Sequence, residues 1–474
     1  MDISMLKNIG WRFAESIGSQ AVSFIVSVVL ARLLAPEDYG IIAIVLIFIN
    51  IANIFAESGF GTALIQKKIY DNKDFSTVFY FNILFSISIY IILFLFAPLL
   101  AYIYNNNQIT IVIRILGIRI IFSSLNSVQK AYVSKTMQFK KFFYSTLVGT
   151  ITSGIFGVIL AFFGFGIWAL VFQYLSSVLI DTVVLWFTVK WRPILYFSFE
   201  RLKHLFSFGS RILFTSLINE IYNQSKSFII GTVYSTTELA YFNRGQQLPS
   251  TVTTSLENAI SSVTFSLMSF NQDDFLKVRT ILNNTISMLS FFIIQSLTLL
   301  IAISPTLIPF LLTDKWMDSI IYLQLASINN ILYIMKSPYM ESFKAIGKAD
   351  IYMKIGVYQK LLGISLMLLF FKTGAYMIIC VEIFVNFIIW IMTARKAKQE
   401  INYSIINQLK TIFPNIISSF VLIVCLYPIN FLKLSYTCIL IIQILLGIFI
   451  IIVIGIIFKN SILINIIKKL NHLS

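Results

Sequence analysis

Residues 435–458 read SYTCILIIQILLGIFIIIVIGIIF, a run of 24 residues without one charged side chain. A helix of about 20 apolar residues crosses the hydrocarbon core of a bilayer, and a helix satisfies its backbone hydrogen bonds internally, as lipid requires. The whole 474-residue chain is similar: 58% is hydrophobic, 12% is charged and the mean hydropathy is +0.86. Soluble proteins are about a quarter charged. The composition excludes a soluble enzyme, a disordered protein and a secreted disulfide scaffold, and predicts an all-α polytopic membrane protein.

Comparable apolar runs, separated by short polar breaks, recur along the chain. They predict about 14 transmembrane helices, at residues 10–34, 40–64, 76–103, 109–132, 143–164, 167–189, 203–231, 238–268, 278–303, 317–343, 350–371, 374–394, 409–429 and 435–458. The longest breaks, 190–202 and 304–316, hold little more than a dozen residues, so no soluble domain is inserted. The amino terminus shows no small-residue cleavage site after a short apolar run, so the first helix is expected to be retained.

Lysine and arginine concentrate in alternate breaks. With the amino terminus inside, 24 of the 36 basic residues fall in inner segments and 4 in outer ones, namely Arg32, Lys315, Lys372 and Lys433. Such a bias marks the cytoplasmic side of a membrane protein. It predicts a cytoplasmic location for both termini, and it accounts for much of the +16 net charge without nucleic acid as a partner.

Two stretches about 200 residues apart look alike. Residues 10–12 (GWR) and 35–40 (APEDYG) are matched by residues 209–211 (GSR) and 235–241 (STTELAY), and each second stretch leads into a helix with a glutamate. A weaker similarity links Phe139-Lys140 to Ala349-Asp350, with an offset of 210. Each half would hold six spans in the same orientation, which is a parallel repeat of the kind found in transporters.

The repeat predicts three parts of the chain. An amino-terminal lobe would comprise residues 1–200 and a pseudo-symmetric second lobe residues 201–400, each with six helices. Residues 401–474 would add two carboxy-terminal helices outside the repeat. In transporters of this plan the substrate site lies between the halves.

Fifteen ionisable side chains fall within the predicted spans, where each charge costs roughly 2.5–3.5 kcal/mol on insertion scales. They are Arg12, Arg114, Arg119, Arg211, Lys226, Arg244, Lys336, Lys360, Glu15, Glu57, Asp181, Glu220, Glu257, Glu341 and Glu382. Arg12, Lys336 and Glu341 lie near span ends and are expected to extend their charges to the membrane surface. The others are expected to face protein or water.

Helical periodicity places polar residues of spans one, two, seven and eight on common faces. These helices are the first pairs of the two repeats, and they are predicted to line a central water-filled cavity. The cations predicted to bind substrate are Arg211, Lys226, Arg244, Arg12 and Arg119. The acids predicted to carry a coupling ion or to balance charge are Glu15, Glu57, Glu220 and Glu257. The alternative is that the small polar residues merely pack helices together.

Three further expectations concern single residues. Arg114 and Arg119 are about 140° apart on a helix and cannot both face one narrow cavity. Asp181 is a hypothetical partner of Arg119, and Glu382 of Lys360. Pro249 is expected to kink span eight.

Signatures of catalysis are absent from the sequence. There is no Walker A motif, no GxSxG and no HExxH. The three cysteines (Cys380, Cys425 and Cys438) and two histidines (His204 and His472) have no metal-ligand spacing. The sequence therefore predicts a protein that is not an enzyme and that has no metal, cofactor or disulfide.

Residues 30–40 (LARLLAPEDYG) and 57–68 (ESGFGTALIQKK) resemble the Wzx-like polysaccharide exporters of the colanic-acid type. These proteins belong to the polysaccharide branch of the multidrug/oligosaccharidyl-lipid/polysaccharide exporter superfamily. The resemblance implies a V-shaped bundle of two six-helix lobes in the bacterial inner membrane. It also implies that polyprenyl-diphosphate-linked oligosaccharide is flipped by alternating access, with a polysaccharide polymerase and chain-length machinery as partners. Arg211, Lys226 and Arg244 stand where cavity cations would be expected.

Cationic stripes suit an anionic substrate, because arginine binds phosphate through a planar fork of donors. The alternative within the superfamily is an ion-coupled multidrug exporter, whose cavity should be rich in acids and aromatics and poor in arginine. A membrane-embedded glycosyl transferase or polymerase would need a large loop, and none is present. A membrane scaffold that transports nothing would not need charges within its spans.

Overall fold

The computed structural model describes residues 3–57, 60–67 and 70–458, with side chains from Trp11 onward except those of residues 12–13, 56–57, 204, 207–208 and 262. These residues form helices and no strand, which confirms the predicted all-α class. The chain divides into two compact units, Met1–Ala240 and Tyr241–Ser474. The predicted lobe boundaries at residues 200 and 400 stay a prediction.

Every predicted span is occupied by helix. The helices of the first unit are α1 (Ile3–Leu33), α2 (Pro36–Glu57), α3 (Phe60–Gln66), α4 (Asn72–Ile103), α5 (Gln108–Leu116), α6 (Ile118–Lys135), α7 (Lys140–Phe162), α8 (Ile167–Thr188) and α9 (Phe199–Val233). The next helix, α10 (Thr236–Phe270), begins at the end of this unit and lies mostly in the second.

The second unit continues through seven further α-helices. They are α11 (Phe275–Leu289), α12 (Gln295–Leu312), α13 (Ser319–Ala345), α14 (Ala349–Phe370), α15 (Ala375–Ile401), α16 (Ile405–Leu426) and α17 (Tyr436–Ile457). A π-helical turn, Ser290–Ile294, joins α11 to α12, so these two helices together fill one predicted span. The charge-free run 435–458 is α17.

Eleven helical stretches in the described ranges are long and apolar enough to cross a membrane, by length and composition. This finding and the fold make the chain a multi-pass membrane protein. The long helices α9, α10 and α13 are not among the eleven. These three helices hold seven of the fifteen ionisable residues predicted within spans, and this charge distinguishes them from the eleven apolar stretches.

Two-residue connections join both helix pairs at which the repeat was predicted. Only Leu34 and Ala35 separate α1 from α2, and the Ala35 N–H donates to Asp38 Oδ2 at 3.3 Å. Only Tyr234 and Ser235 separate α9 from α10, and Ser235 Oγ accepts from the Glu238 N–H at 3.0 Å. Both helices therefore begin with a side chain that binds a free amide, as helix starts require.

A second pair of matching turns lies 210 residues apart. After α6 the Gln138 N–H donates to the Val133 carbonyl at 3.0 Å, and after α13 the Lys348 N–H donates to the Phe343 carbonyl at 2.8 Å. Met137 (φ 54°) and Gly347 (φ 75°) hold the left-handed position that this helix ending needs. The same closure also follows α4 and α7, where the Asn106 N–H donates to the Ala101 carbonyl and the Phe165 N–H to the Leu160 carbonyl, so the repeat stays a prediction.

Small residues let α7 pack closely on its neighbours. A Cβ added to Gly154 would lie 2.4 Å from Val26 Cγ2 of α1, and one added to Gly157 would lie 2.9 Å from Gln173 Cβ of α8. Here the packing interpretation of small residues holds, because their role is close approach of helices.

A buried carboxylate joins three segments of the first unit: the residue after α3, the start of α4 and the start of α9. Asp74, near the start of α4, is 2% exposed, and its carboxylate accepts from Lys67 Nζ at 2.7 Å and Arg201 Nη1 at 3.0 Å. Asp71 and Asp74 also form a reciprocal capping box at the start of α4. Arg201 reaches Asp71 at 2.7 Å, so the beginning of α9 is tied to the beginning of α4.

Buried amides attach the two carboxy-terminal helices. Gln408 of α16 accepts from Tyr339 Oη at 2.9 Å and from Trp390 Nε1 at 2.7 Å. Asn415 Nδ2 donates to Ser290 Oγ of the π turn at 2.8 Å, and Gln443 Nε2 of α17 donates to the Leu426 carbonyl at 3.0 Å. The few polar residues of α16 and α17 therefore form the hydrogen bonds that attach these apolar helices to their neighbours.

Candidate functional site

The predicted cations of α9 occupy different environments. Arg211 is exposed, whereas Lys226 and Glu220 are half-buried. The Glu220 carboxylate accepts from Gln224 Nε2 at 2.7 Å, one helical turn away. These residues lie in the first unit, on a helix whose eight positions from Arg211 to Ile218 are all exposed or half-buried. Their role in binding substrate stays a prediction.

Arg244, on α10, is the most enclosed of the predicted cations with described side chains, with 8% of its surface exposed. Its Nη1 donates to Gln247 Oε1 at 2.7 Å, and its guanidinium lies 5.3 Å from the ring centre of buried Trp316. Gly245 lets α13 approach, since a Cβ there would lie 2.4 Å from Tyr322 Cβ. A cation over an indole face is stabilised and oriented, so the packing holds this guanidinium in one direction.

The remaining predicted residues with described side chains lie among other helices of the first unit. Glu15 accepts from Thr146 Oγ1 of α7 at 3.2 Å. Arg119 lies 5.9 Å from the ring centre of Tyr174 on α8, while Arg114 lies 4.3 Å from that of Phe94 on α4. Gly117 separates α5, which carries Arg114, from α6, which carries Arg119, so the assumption of one continuous helix behind their 140° separation is wrong. The two arginines contact different helices, and the expectation that they cannot both face one cavity stays a prediction.

Two predicted residues, Arg12 and Glu57, have side chains outside the described residues, and their predicted roles are untested. The hypothetical partner of Arg119, Asp181, binds Lys130 Nζ at 3.1 Å and accepts from Asn126 Nδ2 at 3.3 Å. This is an ion pair between α6 and α8 of the first unit.

A buried polar network in the second unit was not predicted. At its centre Lys336 of α13 is 4% exposed, and its ammonium donates to Gln359 Oε1 of α14 and to Asn386 Oδ1 of α15, both at 2.8 Å. Asn386 Nδ2 donates to Asn329 Oδ1 at 2.7 Å, and Asn329 Nδ2 donates to Glu382 Oε2 at 3.3 Å. The network joins three helices through one cation and four polar side chains.

The expectation that Lys336 reaches the membrane surface is therefore wrong. Its physical reason is that α14 and α15 supply amide oxygens which replace water around the ammonium. The sequence did hold a signal: Asn329 and Lys336 are seven residues apart, and Glu382 and Asn386 are four apart, so each pair shares one helix face.

Glu257 of α10 lies beside this network. The Ser337 hydroxyl donates to Glu257 Oε1, and the Glu257 and Glu382 carboxylates are both within electrostatic range of the Lys336 ammonium. Glu257 is half-buried, in contrast to the enclosed Lys336. The hydrogen bond between Ser337 and Glu257 links α13 to α10.

Metal chemistry has no support in the part of the chain that the structure describes. No group of three or more His, Cys, Asp or Glu side chains there could hold a metal ion. The sites that the second unit does offer are single cations, carboxylates and amides, which suit the binding of charged groups.

Known proteins resemble this chain in sequence. The sequence profile of the family described as "Polysaccharide biosynthesis protein" matches residues 29–321. The teichuronic acid biosynthesis protein TuaB of Bacillus subtilis is 24% identical over 63% of this chain and 62% of its own length. The succinoglycan biosynthesis transport protein ExoT of Rhizobium meliloti is 24% identical over 57% of this chain and 55% of its own length. This chain thus spans less than two thirds of the length of either relative.

A third relative and two solved structures complete the comparison. The lipopolysaccharide biosynthesis protein WzxC of Escherichia coli is 22% identical over 71% of this chain and 69% of its own. The lipid II flippase MurJ in an inward closed conformation matches 96% of this chain and 99% of its own, with a TM-score of 0.79 and 18% identity. An inward-facing multidrug transporter of the MATE family matches 81% and 94%, with a TM-score of 0.63 and 14% identity. At such identities the structures establish the fold, which is the predicted one.

Proposed function

The chain belongs to the polysaccharide biosynthesis protein family, and on that premise we propose that it flips a lipid-linked oligosaccharide. The substrate is the repeat unit of a polysaccharide on a polyprenyl diphosphate. It moves from the cytoplasmic to the periplasmic leaflet of the bacterial inner membrane by alternating access. Both termini are cytoplasmic in this proposal, and a polysaccharide polymerase with its chain-length machinery receives the product.

The relatives support the class of cargo. Their names refer to teichuronic acid, succinoglycan and lipopolysaccharide, which are different saccharide products. The name of ExoT also refers to transport, which supports the proposal that this chain brings a saccharide building block across a membrane. Since a diphosphate head cannot cross hydrocarbon unaided, such a block needs a polar path through the protein while its lipid tail stays in the bilayer.

The observation that carries the proposal is the position of Arg244. A guanidinium that is 8% exposed and oriented by Trp316 stands on a helix too polar to count among the apolar spans. Arginine binds phosphate through a planar fork, which favours a diphosphate head group. Arg211, Lys226, Arg12 and Arg119 are the further cations that we propose for substrate binding.

The second candidate is an ion-coupled multidrug exporter, which the match to a MATE-family structure brings into consideration. That function calls for a cavity of acids and aromatics that accepts organic cations. Arg244 and Lys226 disfavour it, because they would repel such substrates.

The test uses proteoliposomes that contain a polyprenyl-diphosphate oligosaccharide, whose accessibility to an external probe is followed over time. We expect flipping by the wild type and at least a tenfold loss in Arg244→Ala and in Arg211→Ala, with normal expression and gel-filtration profile. Arg244→Lys should recover only part of the rate, because lysine lacks the planar fork. Lys433→Ala, an exposed cation in a predicted outer segment, is the matched control and should flip at the wild-type rate.

Absence of wild-type flipping above protein-free liposomes, with and without an imposed ion gradient, would refute the lipid-linked substrate. Efflux of organic cations in the same liposomes would then support the multidrug alternative. Equal losses in Arg244→Ala and Lys433→Ala would refute the role of the cations in substrate binding.

A further inference from the structure

The connection between α8 and α9, residues 189–198, is not helical, yet it is fixed at several points. Trp191 is buried in an apolar cluster, where its ring centre lies 5.9 Å from that of Phe75. The Ile194 N–H donates to Ser76 Oγ of α4 at 3.0 Å. The connection is therefore attached to the helices beneath it and has a defined conformation.

A tight turn at Leu195 projects apolar side chains from this connection. The Tyr196 N–H donates to the Ile194 carbonyl at 2.7 Å, which is the hydrogen bond of a γ-turn with Leu195 at its apex. Leu195 is 97% exposed, and Phe197 and Phe199 are exposed as well. Three large apolar side chains within five residues are unfavourable in water, so this surface requires an apolar environment.

The connection lies at the boundary of the membrane-spanning region. The apolar stretch Ile167–Thr188 ends directly before it, and Ser76, to which it is bonded, is the fifth residue of the apolar stretch Asn72–Ile103. Trp191 and Tyr196 belong to the residue types that are enriched where hydrocarbon meets water. The exposed side chains around Leu195 therefore stand at the level of the interfacial layer of the bilayer.

The connection and the start of α9 are cationic. Residues 189–203 carry a net charge of +3, from Lys190, Arg192, Glu200, Arg201 and Lys203. Arg201 is paired with Asp71 and Asp74. Lys73 adds a positive charge beside the turn, because its ammonium lies 5.0 Å from the ring centre of Tyr196. Anionic phospholipid complements such a surface, because basic clusters next to apolar segments are attracted to its head groups.

Two ammonium groups at this end of the first unit repel each other. Lys190, in the connection, and Lys141, at the start of α7, lie within electrostatic range of one another. In the ranges that the structure describes, neither side chain has an ion pair with a carboxylate. Like charges at close range are unfavourable, whereas an anion between them is attracted by both. A lipid phosphate supplies that charge together with strong acceptor oxygens.

We propose that residues 189–199 form an interfacial anchor that binds anionic phospholipid. The three exposed apolar side chains enter the interfacial layer, and Lys141 and Lys190 bind a phosphate of the same leaflet. In the orientation proposed above, this is the cytoplasmic leaflet. The anchor holds the start of α9 at the membrane surface. It does not depend on the cargo, so it stands or falls separately from the proposed function.

The first measurement locates the turn. Leu195→Cys, in a chain whose Cys380, Cys425 and Cys438 are replaced by alanine, carries a nitroxide label in liposomes of phosphatidylcholine and phosphatidylglycerol. We expect the label to collide more often with oxygen, which concentrates in the bilayer, than with a water-soluble nickel complex. Gln272→Cys, an exposed position between α10 and α11, is the control and should show the reverse. Equal access of nickel to both labels would overturn the anchor and leave this surface open to a protein partner.

The second measurement tests the phosphate site. Native mass spectrometry of the purified protein follows the binding of phosphatidylglycerol. We expect Lys141→Gln/Lys190→Gln to raise the dissociation constant at least fivefold. The matched control is Lys396→Gln/Lys398→Gln, which removes two exposed cations elsewhere on the predicted inner side and should change it less than twofold. Equal losses in the two double variants would mean a general attraction of anionic lipid and would overturn the site.

Two other probes define the ligand. Phosphatidylcholine, whose head group is neutral overall, should bind the wild type and Lys141→Gln/Lys190→Gln equally, and a fivefold difference would overturn the role of lipid charge. Inorganic phosphate should not displace phosphatidylglycerol, and displacement would show a site for free phosphate instead of lipid. Wild-type protein that binds lipid in this way but does not flip the lipid-linked substrate keeps the anchor and refutes the proposed function.

Discussion

Two buried charges, Asp74 in the first unit and Lys336 in the second, are solvated in different ways. Asp74 is 2% exposed and touches two cations, Lys67 and Arg201, at 2.7 and 3.0 Å. Lys336 is 4% exposed and touches two neutral amides, while its two carboxylate neighbours stand at longer range. The Asp74 carboxylate is neutralised by the cations that it contacts. The Lys336 ammonium is held in place by amides and contacts neither of the nearby carboxylates directly.

This difference separates a charge that is held by ion pairs from one that is held by amides. A carboxylate with both cations in contact cannot lose either without a large cost. An ammonium held by amides keeps its position when a nearby carboxylate gains a proton, because the amide bonds do not depend on that charge. Asp74 therefore fixes α4 to α9, whereas Lys336 fixes α13 to α14 and α15.

Among the variants that test this comparison, Asp74→Ala is expected to lower the free energy of unfolding most. This change removes the carboxylate that pairs with the Lys67 and Arg201 cations, and it removes one half of the capping box. We therefore expect a loss of about 3–5 kcal/mol in the free energy of unfolding. Denaturant unfolding of the purified protein in detergent measures it. Asp350→Ala is the control, because its ion pair with Lys354 spans 4.0 Å between exposed side chains and contributes about 0–1 kcal/mol. Equal losses in both variants would mean that Asp74 is no more structural than a surface acid.

Asn386→Leu should have an intermediate effect. It removes one acceptor from Lys336 and one donor to Asn329, for an expected loss of about 2 kcal/mol in the free energy of unfolding. The double variant Asn386→Leu/Lys336→Met should recover at least half of that loss, because the ammonium that needed the acceptor is gone. Additive losses, measured by the same unfolding experiment, would show that the two side chains do not act together.

Asp71→Asn should have the smallest effect and the clearest pH dependence. Desolvation raises the pKa of Asp71, but hydrogen bonds from the Asp74 amide and the Arg201 guanidinium outweigh it and lower the pKa below the ordinary value of 3.8. The stabilisation is present above that value and is lost as the pH falls through the lower, folded-state pKa. We expect a difference of less than about 1 kcal/mol at neutral pH, because the pair is largely exposed.

Unfolding at a series of pH values checks this last expectation. The difference between wild type and Asp71→Asn should be constant near neutral pH and should narrow below about pH 4. A difference that grows on acidification would contradict the assigned direction of the pKa shift.

The fold was largely predictable, because a bilayer imposes length and polarity on every span. The charge-free run of α17 lies where the sequence placed it, whereas the connection between α1 and α2, predicted at residues 35–39, consists of Leu34 and Ala35 because α2 already begins at Pro36. Periodicity treated Arg114 and Arg119 as residues of one helix, and it missed the break at Gly117 that places them on α5 and α6. The environment of Lys336 could not be predicted in this way, because its amide partners come from α14 and α15, and one helix's pattern does not show what its neighbours offer.

The candidate site is less determined by sequence for the same reason. The enclosure of Arg244 depends on Trp316, which is 72 residues away along the chain, and on the close approach that Gly245 permits. Helical spacing identified Arg244 as a candidate cation, but it could not identify Trp316 as its aromatic partner. Arg12 and Glu57 lie outside the described side chains, so their roles remain predictions.

The two-residue connections have a consequence for biosynthesis. A segment of two residues cannot hold α2 in the aqueous phase while α1 already spans the bilayer, so the pair has to enter the membrane as one helical hairpin. The same constraint applies to α9 and α10. The insertion machinery therefore handles α9, which has six charged side chains, together with α10.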